Sequence, residues 1–316
     1  MKENDRMEPV QRKFRAIVVL TCLAVLMSAG CPASPPLGSE RNPVKLAFVP
    51  SVDRKLIDAN AKVIQTILEK ITPYRYRITT PETYDAAWQA LGNGNADVAA
   101  LNTLGYIDAN EQYGAQARLV QARFGSTTYQ GAIFVHADST VGAIEDLTGK
   151  HVALVDPRST SGCLLPMMLL KDKSVVLRGT VFAHTHDAAI SMVYRRQADA
   201  AAAFYSPPDT DGRIQDARRL LFQQYPDVAE KIKVVQLTAS IPNDPIVFRK
   251  ELTEAMKTSI ADALVAMMGT KDGYDAWHST YGATGFKKIT DEIYGPVRMI
   301  FQGKAEPCSN SGPVTE

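Results

Sequence analysis

The sequence predicts an α/β protein made of two lobes that face each other across a cleft. Short apolar runs typical of buried strands alternate with segments of helical spacing, and this alternation occurs twice in series. The last quarter of the chain then returns to helical patterns, and 316 residues are enough for two such lobes. Ligands of these sheets bind beyond the carboxyl ends of the strands, so we expect a site in the cleft.

The first alternation begins with a strand-like run that Pro50 closes, and it ends at a helix that reaches Tyr113. Its second helix stops at a Gly-Asn-Gly turn at 92–94. The order strand, helix, strand, helix, strand, helix predicts a mostly parallel sheet covered by helices. The predicted strands are 44–49, 75–80 and 97–101, and the predicted helices are 56–71, 84–91 and 103–113.

The second alternation follows two extended runs, 118–124 and 132–137. It predicts strands 152–155, 181–183, 199–204 and 232–237 and helices 163–170 and 187–194. The last quarter predicts helices 251–268 and 293–301, before a polar tail that we expect to be loose after Gly303. We expect a discontinuous first lobe, 44–130 plus 240–316, and a second lobe, 131–239.

The N-terminus predicts export. Three basic residues, Arg12, Lys13 and Arg15, precede an apolar run at 16–27 that is shorter than the roughly 20 residues of a membrane span. We therefore interpret 1–30 as a signal peptide.

Cys31 follows Ser-Ala-Gly, and this pattern resembles a bacterial lipobox with Cys31 as the lipid-modified first residue. Ser28 departs from the commoner Leu, so cleavage without lipid stays open. The Pro-, Ser- and Gly-rich segment 31–43 is interpreted as a flexible tether.

Composition argues against several classes of function. Lys and Arg total 35 against 34 Asp and Glu, so the net charge of +1 offers no basic field for nucleic acid. No His or Cys cluster of metal-site spacing occurs, and we expect no metal and no cofactor. Export permits a disulfide between Cys163 and Cys308, but the sequence does not show that they meet. Cys163 is otherwise a buried helical residue or a soft ligand.

The sequence Asp-Pro-Arg-Ser-Thr-Ser-Gly at 156–162 lies where a predicted strand leads into a predicted helix. Free N–H groups at a helix N-terminus bind oxyanions, and hydroxyls add neutral donors. Gly162 permits close backbone approach, and Pro166 places the helix start near Ser161. The alternative is that Ser159 or Ser161 is only a helix cap.

The 156–162 sequence is one of a series of motifs that occur in order along the chain. They are Tyr-Asp-Ala-Ala at 84–87, Ala-Asp-Val-Ala-Ala-Leu at 96–101, Gly-Tyr at 105–106, the 156–162 sequence with Pro166, His-Asp-Ala-Ala at 186–189, Ala-Asp-Ala-Ala at 198–201, Ile-Pro-Asn-Asp-Pro at 241–245, Gly-Phe at 285–286, Ile-Thr-Asp at 289–291 and Tyr-Gly-Pro-Val-Arg at 294–298. With this series the chain resembles the PhnD-like family of phosphate, phosphite and phosphonate binding proteins that serve ABC importers, from about residue 44 to about residue 300.

The resemblance implies a type II periplasmic-binding-protein fold, with two crossover segments and hinge closure on the ligand. It also implies a set of ligand-binding residues around the phospho group, in which His186 is alternatively a capping residue and Tyr106 a core residue. The implied set is Ser159, Thr160, Ser161, Gly162, His186, Tyr84, Tyr129 and Tyr106.

The substituent on the phosphorus is a separate question. Family members that take aminoalkyl phosphonates pair the ammonium group with carboxylates, and Asp244 is a candidate, with an Asx-type turn as its alternative. No carboxylate follows Asp199 in its strand, where Phe204 or Tyr205 would close the pocket with a ring. The sequence therefore favours phosphite, methylphosphonate or phosphate.

We conclude from the sequence that the chain is an exported solute-binding protein that delivers a phosphorus oxyanion to an ABC permease. It is expected to be a monomer, anchored through Cys31 in the periplasm or on the outer face of the membrane. The alternative is a subunit that presents an oxyanion such as arsenite to a sensor kinase, a function for which the Cys163 thiol would be suited. An enzyme is less favoured, because the sequence has no GxSxG or HExxH motif.

Overall fold

The computed structural model of the chain describes residues 34–301 and Cys308, whose strands form two sheets flanked by helices. The predicted signal peptide and Cys31 lie outside these residues. The strands are β1 Val44–Phe48, β2 Tyr76–Thr79, β3 Val98–Ala100, β4 Gln116–Ala122, β5 Thr128–His136, β6 His151–Leu154, β7 Gly179–Phe182, β8 Ala200–Tyr205, β9 Ile232–Pro242, β10 Pro245–Phe248 and β11 Gly285–Lys288. The helices are α1 Arg54–Ile71, α2 Tyr84–Gly92, α3 Thr103–Tyr113, α4 Leu165–Asp172, α5 His186–Tyr194, α6 Val228–Lys231, α7 Glu254–Met267, α8 Lys271–Tyr281 and α9 Gly295–Phe301.

Lobe 1 is built on a six-stranded sheet of order β11-β4-β10-β3-β1-β2. Strand β1 is parallel to β2 and β3, as expected from the first alternation. The expectation of a mostly parallel sheet is wrong for the other half, where β10 and β11 pair antiparallel to their neighbours. The reason is that β10 returns directly from β9 through a two-residue turn and inserts between β3 and β4.

Lobe 2 is built on a five-stranded sheet of order β7-β6-β8-β5-β9. Strands β6, β7 and β8 are parallel, while β5 runs antiparallel to both β8 and β9. Strands β5 and β9 also connect the lobes, and their pairing extends from His136 with Ile232 to Thr128 with Pro242. Residues 128–130 and 240–242, which were predicted for the first lobe, therefore belong to the sheet of lobe 2.

Helix α1 shows why the predicted elements form. Asp53 caps its N-terminus by accepting hydrogen bonds from the backbone N–H groups of Lys55 and Leu56. Ile57, Ala61, Ile64 and Leu68 recur at helical spacing and lie buried in the lobe 1 core. No helix within residues 34–301 is long and apolar enough to cross a membrane.

The described residues of two segments that were predicted to be loose, 34–43 and Cys308, have defined contacts. The predicted tether, 31–43, includes a tight turn closed by a bridge between Ser39 and Asn42, and the Gly38 carbonyl accepts from Arg75 N at 2.7 Å. Gly38 has a φ of 89°, a conformation that glycine adopts without strain. In the tail, Cys308 is buried in the lobe 2 core and forms a disulfide with Cys163. The pairing that the sequence left open is thus present, and the tail reaches lobe 2.

Candidate functional site

A cavity lies between the two lobes, at the carboxyl ends of β1, β3, β6 and β8. The space inside it, counted together with its opening to solvent, is about 460 Å³. Seven of the nine predicted ligand-binding residues line it, and Gly162 and Tyr106 do not. The lining residues are Val49, Ser51, Val52, Tyr84, Asn102, Arg123, Tyr129, Ser159, Thr160, Ser161, His186, Phe204, Arg219, Asp244, Thr280 and Tyr281.

The residues 159–161 form the start of a helix whose first turn, Thr160–Leu164, is π-helical and continues into α4. Ser159 caps it, since its Oγ accepts from Gly162 N at 3.0 Å, so the capping alternative describes its geometry correctly. Among the described residues, the backbone N–H groups of Thr160 and Ser161 donate to no other group. Two free, buried N–H groups facing a cavity are suited to an oxyanion.

Glycine is required at two positions behind this turn. A Cβ on Gly162 would lie 2.4 Å from Val155 Cγ2, and a Cβ on Gly131 would lie 2.6 Å from the Ser161 carbonyl oxygen. Gly162 therefore allows the turn to pack against the end of β6. It was expected to contact the ligand, but it does not line the cavity.

Contacts between the lobes meet at the same turn. Thr160 Oγ1 accepts from Leu104 N at 3.3 Å, and Asn102 Nδ2 donates to the Arg158 carbonyl at 2.8 Å. The Arg158 guanidinium pairs with Asp85 at 3.1 Å and also with the Asp108 carboxylate, which belongs to lobe 1 as well. The lobes are therefore joined across the cleft by groups next to the free N–H groups.

His186 lies at the start of α5 and is a neutral donor. Its Nδ1 accepts from Phe204 N at 3.3 Å, and its ring packs edge-to-face on the Phe204 ring with 5.0 Å between centroids. Burial, together with the positive charge of Arg123, lowers the pKa of His186 to about 3. Since Nδ1 is an acceptor, the ring proton is on Nε2, where it can be donated to a ligand. His186 N also donates to the Ser51 carbonyl of lobe 1 at 3.2 Å.

Tyr84 and Tyr129 line the cavity and keep their hydroxyl protons. Burial, reinforced by nearby carboxylates that include Asp244, raises the pKa of both phenols well above the ordinary value. The Tyr84 hydroxyl is buried and has no hydrogen-bond partner among the described residues. Both side chains can therefore donate a hydrogen bond to an anion.

Tyr106 is a core residue, so its expected place in the cleft is corrected. It is fully buried in lobe 1, its ring centroid is 4.8 Å from that of Tyr294, and its hydroxyl donates to Asp291. The Gly-Tyr motif at 105–106 thus places the ring on the inner face of α3, away from the cavity.

Two arginines that the sequence analysis did not single out also line the cavity. Arg123 Nη2 donates to the Tyr281 carbonyl at 3.0 Å and lies 3.9 Å from Asp244 Oδ2. Arg219 comes from the other lobe, and its Nη1 donates to the Ser279 carbonyl at 3.5 Å. The one available signal was the position of Arg123 near the end of the predicted extended run 118–124, because the short 3₁₀ turn that carries Arg219 has no such pattern.

Asp244 is the one carboxylate among the described residues that line the cavity. Burial raises its pKa to about 6, although the Arg123 guanidinium opposes this shift. Its Oδ1 is buried and has no hydrogen-bond partner among the residues described. Two guanidinium groups against a single carboxylate leave the cavity with excess positive charge, which favours an anionic ligand.

The disulfide also removes the basis for a thiol ligand. Cys163 is fully buried and bonded to Cys308, so it presents no thiolate to an arsenic oxyanion.

Comparisons with known proteins agree with one another. The model of the family described as "ABC transporter, phosphonate, periplasmic substrate-binding protein" matches residues 46–294. The phosphate-import protein PhnD of Mycolicibacterium smegmatis is 26% identical over 315 positions, which cover 92% of this chain and 96% of that protein. The phosphonates-binding periplasmic protein of Escherichia coli is 29% identical over 227 positions, which cover 69% of this chain and 63% of that protein.

Two solved structures have the same fold. A binding-protein component of an ABC phosphonate transporter from Pseudomonas aeruginosa superposes with a TM-score of 0.70 at 18% identity, covering 84% of this chain and 85% of that one. PhnD1 from Prochlorococcus marinus, solved in complex with methylphosphonate, superposes with a TM-score of 0.68 at 16% identity, covering 81% and 96%. At these identities the likeness concerns the fold.

Proposed function

The chain belongs to the family of periplasmic substrate-binding proteins of ABC phosphonate transporters, and on that basis we propose that its cavity captures a phosphorus oxyanion for an ABC permease. Family membership confirms the predicted family, and the solved structures confirm the predicted type II periplasmic-binding-protein fold. Members of this family are transport proteins that bind substrate. The alternative of a sensor subunit is not favoured.

The combination of free N–H groups and buried positive charge in one cavity is the observation that supports an oxyanion ligand most directly. The N–H groups of Thr160 and Ser161 and the protons of His186 and Tyr84 are all donors without a fixed acceptor. A tetrahedral anion presents several acceptor oxygens on different sides, so donors that converge from both lobes fit it.

The names of the two relatives restrict the proposed ligand to phosphate and phosphonates. One is named for phosphate import and another for phosphonates, and we propose that this chain binds within that range. Phe204 lines the cavity as one of the two expected rings, while Tyr205 does not. Asp244 already faces Arg123, and the described residues that line the cavity include no second carboxylate to pair a ligand ammonium group. We therefore retain phosphite, methylphosphonate and phosphate as the proposed ligands.

Binding is proposed to close the cleft about a hinge between lobe 1, expected at 44–130 and 240–316, and lobe 2, expected at 131–239, except that residues 128–130, 240–242 and Cys308 move with lobe 2. The anion contacts Ser159, Thr160, Ser161 and His186 of one lobe, and the other lobe closes over it with Tyr84. The hydrogen bond from Leu104 N to Thr160 Oγ1 exists only when the lobes meet, so it stabilises the closed form.

The location and partners are proposed from the N-terminal pattern. A signal peptide at 1–30 and a lipid on Cys31 would hold the protein at the outer face of the membrane, next to the permease. We propose that the cavity performs no catalysis, because His186, whose Nδ1 already accepts from Phe204 N and whose Nε2 carries the ring proton, has no free lone pair with which to act as a base for the lining hydroxyls. Turnover of phospho-esters by the purified protein would contradict this.

Calorimetric titration tests the ligand class. Phosphate, phosphite, methylphosphonate, 2-aminoethylphosphonate and arsenite are titrated into the wild-type protein, into Ser161→Ala and into Ser191→Ala, a matched change in α5 outside the cavity. We expect at least one of the first three to bind wild type and Ser191→Ala with a dissociation constant of about micromolar or below, and Ser161→Ala to bind it more weakly.

Absence of binding by phosphate, phosphite and methylphosphonate would refute the proposed function. Much tighter binding of 2-aminoethylphosphonate than of phosphite and methylphosphonate would refute the proposed substituent.

A further inference from the structure

Two neighbouring arginines in lobe 2 have different environments. All three guanidinium nitrogens of Arg218 donate hydrogen bonds, to both carboxylate oxygens of Asp216 and to the Ile232 carbonyl. Arg219 makes one long hydrogen bond, to the Ser279 carbonyl at 3.5 Å. Its Nε and Nη2 are buried and have no partner among the described residues, although the side chain lines the cavity. Arg218 therefore stabilises the lobe, and Arg219 is available for a ligand.

The two open atoms are chemically specific. Nε–H and Nη2–H point outward from one edge of the planar guanidinium, and such an edge binds two oxygens of a carboxylate or phospho group in parallel. Leaving such donors buried and unpaired costs free energy, and a ligand oxygen at each would remove that cost. The Arg219 fork is therefore matched to an anionic group with two oxygens.

The charge around Arg219 points the same way. Burial and the positive charge of the Arg123 guanidinium lower the pKa of Arg219 to about 10, so Arg219 stays charged at neutral pH. The two like charges repel each other, and Arg123 is the one that lies near the Asp244 carboxylate. An incoming dianion relieves this repulsion, whereas a ligand ammonium group would add a third positive charge.

On the basis of the proposed function, we infer that Arg219 determines specificity: it binds two oxygens of the phospho group and excludes phosphonates whose substituent carries an ammonium group. The substrate class is then dianionic phosphorus oxyanions with a neutral substituent or none. The backbone and hydroxyl donors of 159–161 bind the phospho group from one side, and Arg219 selects by charge.

The test compares ligand selectivity in charge-matched variants at pH 8. Affinities for methylphosphonate, phosphate and 2-aminoethylphosphonate are measured for wild type, Arg219→Gln and Arg219→Lys. Arg213→Gln, at an exposed loop position, serves as the control. We expect Arg219→Gln to weaken methylphosphonate or phosphate binding by about 30-fold or more, from two lost bonds to a charged group. Binding of 2-aminoethylphosphonate should weaken far less or become measurable, so the selectivity ratio falls at least about tenfold.

A purely structural role for Arg219 would weaken all ligands by the same factor. An unchanged ratio, or no gain in relative binding of 2-aminoethylphosphonate by Arg219→Gln, would therefore overturn the inference. Arg219→Lys keeps the charge but not the fork, so it should lose phosphate affinity while still excluding the ammonium ligand. That result remains decisive if the Gln variant does not fold. Failure of wild type to bind any of the phosphorus oxyanions would instead refute the proposed function.

Discussion

Replacing Thr160 with Val tests how ligand binding is coupled to contact between the lobes. Valine has nearly the same shape as threonine but lacks the hydroxyl that accepts from Leu104 N at 3.3 Å. In the closed form, this N–H group would then be buried without an acceptor, because Leu104 is only 6% exposed. The same change removes the hydroxyl of a residue that lines the cavity, where we propose that the ligand binds.

The magnitude follows from these two losses. A buried N–H group that loses its acceptor costs about 1–3 kcal/mol, and the long 3.3 Å bond places it near the lower end. A lost hydroxyl donor to a charged ligand adds about 1.5–2 kcal/mol, so the sum is roughly 2–3 kcal/mol. We therefore expect Thr160→Val to weaken ligand binding by about 30- to 150-fold.

Calorimetry with the best ligand, together with thermal melting of the ligand-free protein, measures this effect. Thr160→Ser keeps the oxygen and should bind within about threefold of wild type. The ligand-free Thr160→Val protein should melt within about 3 °C of wild type, because the lost bond belongs to the closed form. Equal affinities of the Val variant and wild type, or a large loss of ligand-free stability, would refute the reasoning.

Three further changes probe other parts of the site. Asp244→Asn should take up fewer protons on binding at pH 7.5 than wild type does, as measured by calorimetry in buffers of different ionisation enthalpy. An anion raises a carboxyl pKa that is already about 6, so the affinity of wild type relative to that of Asp244→Asn falls as the pH rises above 6, and equal uptake by both proteins would contradict this. Gly162→Ala should destabilise the fold by about 1–3 kcal/mol in chemical denaturation, since its Cβ would lie 2.4 Å from Val155, and unchanged stability would show that the turn can shift freely. Asp85→Asn should weaken ligand binding only about two- to fivefold, because its pair with Arg158 is half exposed on the Asp85 side; a larger loss would mean that this pair dominates closure.

Local patterns predicted most elements of the fold. Helix α1 was recognisable because its apolar residues recur at helical spacing on the face that packs on the sheet. Strand β10, Pro-Ile-Val-Phe, was missed because a four-residue apolar run that begins with proline has no distinguishing pattern. It is nevertheless a central strand, paired with β3 and β4, and that pairing depends on residues far away in the sequence.

The candidate site was predictable where its chemistry is local. Three hydroxyl residues between a strand and a helix indicate an anion-binding turn without knowledge of the rest of the chain. The two arginines of the cavity were not predictable, because Arg123 and Arg219 are far apart in the sequence. They come together through their hydrogen bonds to carbonyls of the 279–281 segment. For the same reason, Tyr106 was misplaced: the motif that contains it does not indicate which face of α3 packs on the core.

A crystal structure of the wild-type protein with methylphosphonate tests the central claim most directly, because it locates the phosphorus atom. We expect phospho oxygens within about 2.7–3.2 Å of the backbone nitrogens of Thr160 and Ser161, with Arg219 Nε and Nη2 at similar distances from the same group. A ligand bound outside this cavity, or a phospho group inside it that contacts neither backbone nitrogen, would show that the 159–161 turn does not bind the anion.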